Sequence, residues 1–552
     1  MPEPTSIQAD LNDPLYYLRN AHTLINWVSQ RHGDLLDQHE CDQLERFRSV
    51  PEPAQALLIR MVMRRGEYFR TDQLEYAELA DINRLLGLLA DAELIQPDPQ
   101  LNTDELGSLL RKAELWQLCA ALAPDSPLSR SLRKQELQDW LSSHYEDPRL
   151  FSHWLPDAGF EVVALNISPL MQRLRLMFFG NLHQDWSEFV VTELGHQRYE
   201  PVPLDAGSRA FQQRTEVDAY LQLADLQQQL DSGADLTDLV SQLPDYCPND
   251  WLEHRRRKLA FALGHVAERS GEVTLARQLY ASNPHRDAQL RHLRLQELND
   301  TPEDTFANAQ QLLDDVKQPE ARLRIERILQ RTGKKAGHKV AGIKRPSLQE
   351  QTLILPADNS LRVERLVIDA LSDDDQQAWH VENRLFNGLF ALLLWPALYS
   401  PEQGAFFHPF QAGPADLYRP DFFQRREALV EMQLAQLKTG EYRQTIVQYY
   451  RQKQGIRCSL IHWPSLPLEL VTQALELIPA VHLEAVFRHL MLDLRHHRRG
   501  MPDLICFDTR QHEYSLIEVK GPGDRLQDHQ RLWMEFFMRQ GIPASLCLVE
   551  HH

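Results

Sequence analysis

A chain of 552 residues is too long for one hydrophobic core and reads as roughly three to five domains. Its apolar content of 43% and charged content of 25% are ordinary for a soluble protein. No run of about 18 apolar residues offers a membrane span, and the acidic start MPEPTSIQADLND lacks the apolar centre of a signal peptide, so the expected location is the cytosol or beside a nucleoid. A net charge of −19 argues against a nucleic-acid partner unless a minority basic face supplies the field. Such a face is admissible because exposed charges are screened beyond about 8 Å at physiological salt. The six cysteines, Cys41, Cys119, Cys247, Cys458, Cys506 and Cys547, form no C-x-x-C pair, which excludes a zinc finger and predicts reduced thiols.

Residues 1–100 read as helical, with apolar positions at three- and four-residue spacing through Leu35, Leu36, Leu44, Leu57, Leu58 and Met61. Asp81 to Ile95 fits either a helix-turn-helix or winged-helix unit or an ordinary helical hairpin. Within 101–160, a helix through Leu109 to Leu115 and a second through Leu132 to Trp140 flank Ala123-Pro124-Asp125-Ser126-Pro127. Each carries a basic pair before an apolar anchor, Arg111-Lys112 and Arg133-Lys134. Either this is a SAP-type motif offering a helix N-terminus and cations to phosphates, or it is a plain helical pair. A helical connecting region is expected over 161–245.

From 246 to 345 the chain reads as a helical array. Leu263-Gly264, Gly271, Ala276 and Tyr280 fall at tetratricopeptide offsets, though a generic α-bundle would look much the same. His254-Arg255-Arg256-Arg257-Lys258 is a cationic cluster opening a helix, and Arg331 to Arg345 is glycine- and lysine-rich and reads as a basic linker. The last domain, 346–552, has its expected core from about 440.

That core carries the chemistry. Met501-Pro502-Asp503 opens an apolar strand, Leu504-Ile505-Cys506-Phe507, and Tyr514 to Lys520 reads as its partner. Alternation places Glu518 and Lys520 on one face and Val519 on the other. Phosphodiester hydrolysis needs an in-line water and neutralisation of charge on phosphate and leaving oxygen, which hard divalent ions supply. Mg²⁺ or Mn²⁺ held by Asp503, Glu518 and the Val519 carbonyl, with Lys520 orienting or deprotonating the water, meets that need. Gly521-Pro522-Gly523-Asp524 ends the strand, Arg525 to Met534 is an amphipathic helix, and Ala544 to Val549 is a closing strand. The order β-β-α-β is that of the PD-(D/E)XK nuclease core.

The segment Gly500 to Asp503, Glu518 to Leu526, Gln530 and Trp533 resembles the VRR-NUC domain, and in particular the Fanconi-associated nuclease family. His380-Val381-Glu382-Asn383-Arg384 and the apolar run after it resemble that family's first nuclease helix, whose further metal-binding glutamate would be Glu382. A glutamate opening an apolar helix would otherwise compensate the helix dipole. Eukaryotic members carry a ubiquitin-binding zinc finger for which this chain lacks cysteines, so the resemblance is to a bacterial-type member without ubiquitin recruitment. It implies a mostly α multidomain protein with a C-terminal α/β, restriction-endonuclease-like nuclease domain. It also implies 5′-flap endonuclease and 5′–3′ exonuclease activity with Mg²⁺ or Mn²⁺, in DNA repair including interstrand crosslinks. The expected partner is branched or flapped DNA with a 5′ end, one asymmetric substrate per monomer. Arg111, Lys112, Arg133, Lys134, Arg495, Arg498, Arg499 and Gln530 are the expected DNA contacts. The alternatives are a junction resolvase on the same core and a helical-repeat scaffold with an inactive nuclease fold. His551 and His552 are given no role.

Overall fold

The computed structural model describes residues 13–123, 128–184, 198–247, 249–340, 342, 346–356 and 362–551. Pro124 to Pro127 of the proposed inter-helix turn, Lys344 and Arg345 of the proposed linker, and His552 lie outside the described residues. The protein is mostly α-helical and multidomain, with a mixed α/β domain at its C-terminus. Among the described residues no single helix is long and apolar enough to cross a membrane.

The chain divides into two compact units. The first comprises Met1–Gln197 and Phe211–Val217, the second Arg198–Ala210 and Asp218–His552.

In the first unit, helices Tyr16–His32, Gln38–Ser49 and Glu52–Val62 bury Leu24, Ile25, Val28, Leu57 and Leu58 completely. Asp37 and Glu40 start the second helix with a reciprocal capping box. Helix Ile82–Asp91 is followed by strand Ile95–Pro97, which joins a three-stranded antiparallel sheet with Val162–Leu165 at its centre and Tyr68–Arg70 on the far side. Asp81 to Ile95 is therefore a helix with a wing, not a helical hairpin.

The expected helix through Leu109 to Leu115 is two helices, Thr103–Leu109 and Lys112–Leu122. The break falls at Leu110-Arg111 because the Glu114 carboxylate accepts from Arg111 N at 2.7 Å and restarts the chain as a capped helix. Arg133 caps Lys134–His144 in the same way with Glu136. Both basic pairs thus stand at helix N-termini, with Arg111, Lys112 and Arg133 exposed. Leu106, Leu110, Leu115, Leu137 and Leu141 form the core beneath. Buried Arg70 joins this module to the winged sheet: it pairs with Glu114 at 2.6 Å and lies 3.6 Å from the centre of the Phe160 ring.

In the second unit, Asp250–Arg269 and Val273–Ala281 form a helical hairpin that turns at Gly271 with φ of 83°. Gly264 is required by close approach: a Cβ there would meet the Tyr280 ring at 2.7 Å. Further helices Arg286–Asn299, Pro302–Asp315 and Pro319–Lys335 follow. The last of these corrects the linker expectation. Arg331 to Lys335 are helical, since Ile325, Ile328, Leu329 and Thr332 prolong one buried stripe and the Thr332 hydroxyl donates to the Ile328 carbonyl. Within the His254–Lys258 cluster, Arg256 and Arg257 share the Glu253 carboxylate and Arg255 donates to the Tyr220 hydroxyl, so the cluster is held in place by local partners and keeps a net positive charge.

The C-terminal domain is built on a five-stranded mixed sheet. Its spatial order is Glu350–Leu355, Ala544–His551, Glu513–Lys520, Leu504–Asp508, Gln376–His380. The first two pairings are parallel and the last two antiparallel. One face packs Leu504, Ile517, Val519, Cys547 and Val549 with Val367 of helix Val363–Leu371. The other packs Ile505, Phe507, Tyr514 and Leu516 with Trp533, Met534 and Phe537 of helix Asp528–Arg539.

Candidate active site

The Leu504–Ile517 pairing fixes the site. In an antiparallel ladder the next residues outward are Asp503 and Glu518, so two carboxylates stand opposite each other on neighbouring strands. Like charges so placed repel, and burial sharpens the repulsion, since Asp503 is 9% exposed and Glu518 is 0% exposed. Burial and then the charge of Asp503 push Glu518 up to about 7. Asp503 is also raised, by burial first, against the opposing effects of a hydrogen bond from Val519 N and the charge of Lys520.

Each side chain is oriented by a neighbour. Val519 N donates to Asp503 Oδ2 at 2.9 Å. Glu518 Oε1 accepts from Gln530 Nε2 at 2.5 Å and lies 2.8 Å from Lys520 Nζ. Gln530, expected among the DNA contacts, is thus spent on holding a carboxylate. Helix Asp528–Arg539 delivers it, and Gly500 lets that helix approach: its φ is 85°, and a Cβ would lie 2.5 Å from the His529 ring and 3.2 Å from the His529 backbone. Gly500→Ala is therefore expected to cost about 1–3 kcal/mol, read as a lower melting temperature. Wild-type melting would refute the close packing.

Glu382 arrives from elsewhere. It lies in the tight connection between strand Gln376–His380 and helix Leu385–Leu393, and so precedes the helix it was expected to open. Its backbone is locked to the site: Val381 N and Glu382 N donate to Asp503 O at 2.8 and 3.1 Å. Its carboxylate raises both Asp503 and Glu518 but remains 49% exposed. Among the described residues, no three His, Cys, Asp or Glu side chains are already gathered tightly enough to close round an ion.

The fit to a hard cation rests on another observation. Among the described residues, Glu518 Oε2 is buried without a hydrogen-bond partner, so this acceptor is desolvated with only the Lys520 charge on the other oxygen to compensate. Hard oxygen donors of this kind suit Mg²⁺ or Mn²⁺. Glu364, in the first turn of helix Val363–Leu371, also raises Asp503 and was missed from sequence, where a first-turn acid reads as dipole compensation.

Arg495, Arg498 and Arg499 belong to or follow the short helix Leu494–His497 just upstream. With Arg286, Arg324 and Arg327 they line a cleft of about 1060 Å³. Arg498 and Arg499 also line a cleft of about 340 Å³ shared with Glu382, Asn383 and His462. The site therefore borders the basic surface that the net charge of the chain requires of any DNA binder.

Three family descriptions match the chain: the VRR-NUC domain over residues 437–551, the FAN1 HTH domain over 15–96, and the Fanconi anemia-associated nuclease SAP domain over 100–154. The Fanconi-associated nuclease 1 homolog of Pseudomonas aeruginosa is 39% identical over 545 residues, covering 98% of this chain and 97% of that protein. The Homo sapiens Fanconi-associated nuclease 1 is 31% identical over 180 residues, 31% of this chain and 18% of its own. The crystal structure of paFAN1 bound to 2nt 5′-flap DNA with gap has a TM-score of 0.85 at 39% identity, covering 99% of this chain and 100% of that one. Similarity along nearly the full length, in sequence and in structure, and a carboxylate pair with its lysine on the matched VRR-NUC sheet, lead to one conclusion: the chain belongs to the Fanconi-associated nuclease 1 family.

Proposed function

We propose that the protein is a divalent-metal-dependent, structure-specific DNA nuclease that cuts flapped DNA near the junction, proceeds from 5′ ends, and serves repair that includes interstrand crosslinks. The observation that carries this reading is the Glu518 carboxylate, wholly buried opposite Asp503, with Lys520 on one oxygen and no partner on the other. The flap preference is supported by the paFAN1 complex with 5′-flap DNA.

Asp503, Glu518 and the Val519 carbonyl would hold the ion, with Glu382 completing the set from across the Asp503 backbone. When bound, Mg²⁺ or Mn²⁺ supplies Lewis acidity toward the phosphate and a more acidic water. The protein's own part is orientation. Val519 N fixes Asp503, Gln530 fixes Glu518, and Lys520 Nζ is held at the site mouth to orient the attacking water and offset charge growing on the phosphate. Arg495, Arg498 and Arg499 would track the backbone by charge, a mode that reads DNA shape and not base identity. Arg111, Lys112, Arg133 and Lys134 would add phosphate contacts from their helix N-termini.

The test is a cleavage assay on labelled 5′ flap, 3′ flap, four-way junction and duplex. Cutting is expected on the 5′ flap, to stop in EDTA and to return with Mn²⁺. Asp503→Ala is expected to cut at no measurable rate while binding flap DNA as the wild type does. Full cleavage in EDTA, or by Asp503→Ala, would refute the reading.

A further inference from the structure

Asn383 occupies the left-handed backbone region, with φ of 54°. Among residues bearing a side chain, Asn tolerates this region best, yet the demand for it alone would be met as well by Gly. What distinguishes Asn here is that its side chain is used at both ends. Oδ1 accepts from Met501 N at 3.0 Å, and Nδ2 donates to Glu382 Oε1 at 3.3 Å. The Asn383 carbonyl accepts from Asn387 Nδ2 at 2.6 Å, and the same Asn387 nitrogen reaches the Arg498 carbonyl at 2.9 Å. Together with the two amides on Asp503 O, these bonds join residues 381–383 to residues 498–503.

The carboxylate so joined needs a tether. Glu382 is half exposed, its other oxygen lies 4.0 Å from His380 Nε2, and an exposed glutamate retains most of its rotamer freedom. Asp503 and Glu518, by contrast, are fixed by burial. A carboxylate that must meet two buried ones across an ion gains from being held in advance.

We propose that Asn383 is a positioning residue for the divalent ion, setting the Glu382 carboxylate against Asp503 by bracing it on the Met501 amide; this rests on the metal-dependent reading of the site. Asn383 touches neither phosphate nor ion and acts through Glu382.

The experiment measures Mn²⁺ binding to the full-length, DNA-free protein by titration calorimetry, beside the Mn²⁺ dependence of flap cleavage. Asn383→Gly keeps the left-handed backbone and removes both side-chain hydrogen bonds. It is expected to stay folded with a slightly lowered melting temperature, because the Met501 amide loses its acceptor, to bind Mn²⁺ about 10-fold more weakly, and to recover near-wild-type cleavage at saturating Mn²⁺. In a Glu382→Ala background the same substitution is expected to change Mn²⁺ affinity no further. Unchanged affinity in Asn383→Gly, a further loss in the Glu382→Ala background, or unfolding of Asn383→Gly overturns the positioning role. Absence of any Mn²⁺ binding in the wild type that Asp503→Ala removes would instead overturn the metal-dependent reading, and this inference with it.

Discussion

Lys520→Ala is expected to lower the flap-cleavage rate by about 10²- to 10⁴-fold while Mn²⁺ still binds. The expectation follows from position. The Lys520 side chain is 12% exposed, its Nζ lies 2.8 Å from Glu518 Oε1, and its charge is felt by Asp503. It is a cation held beside both carboxylates, where a phosphate would meet them. Truncation removes the group that orients water and offsets developing negative charge, and leaves both carboxylates in place. The fold should survive, because Glu518, already near 7, can take up a proton in place of its lost partner. The measurement is single-turnover cleavage at saturating Mn²⁺, with calorimetric titration of Mn²⁺ in parallel. Cutting at the wild-type rate would remove Lys520 from the chemistry, and loss of Mn²⁺ binding would recast it as a support for the ion site.

The residues of this constellation were legible in the sequence because they are local. Leu504 to Phe507 and Tyr514 to Lys520 are apolar, adjacent and bounded by Gly521-Pro522-Gly523, and a period of two separates Glu518 and Lys520 from Val519 without knowledge of any distant contact. What pairs across long separations was not legible. The two edge strands, Glu350–Leu355 and Gln376–His380, are of mixed polarity and largely exposed or half-buried, and each becomes a strand only because the distant central strands offer it a ladder. The winged sheet is the same case: Val162–Leu165 completes it from far along the chain. Glu382 carried no signal of its own in the sequence and entered through a resemblance. The structure moves it from a helix start to a turn, where hydrogen bonds to Asp503 O account for its place. Gln530 entered with the residues of the resemblance as an expected DNA contact, and nothing local in the sequence shows that its amide donates to Glu518.

Glu518→Gln is expected to abolish cleavage and, at alkaline pH, to make the protein more stable. Glu518 is wholly buried, one oxygen is unpartnered, and burial together with Asp503 lifts it from an ordinary value near 4.5 to about 7. A carboxyl raised on folding is destabilising when ionised. The penalty is absent below the unfolded value, grows as pH rises from about 4.5 to about 7, and is complete above that. Its ceiling is on the order of 3 kcal/mol, and loss of the Lys520 ion pair in the variant reduces the gain. Glutamine keeps the shape and an acceptor for Gln530 while removing the charge. In EDTA at pH 8 the variant should melt about 2–4 °C above wild type. Towards pH 4, where Glu518 is protonated in the folded and the unfolded chain alike, the two curves should converge. With Mn²⁺ present the order at pH 8 should reverse, because an ion that binds only the folded wild type stabilises it by mass action. A variant less stable than wild type at pH 8 in EDTA would show that the Glu518–Lys520 pair outweighs the repulsion from Asp503, and that the site is built for rigidity and not held under electrostatic tension for an ion to relieve.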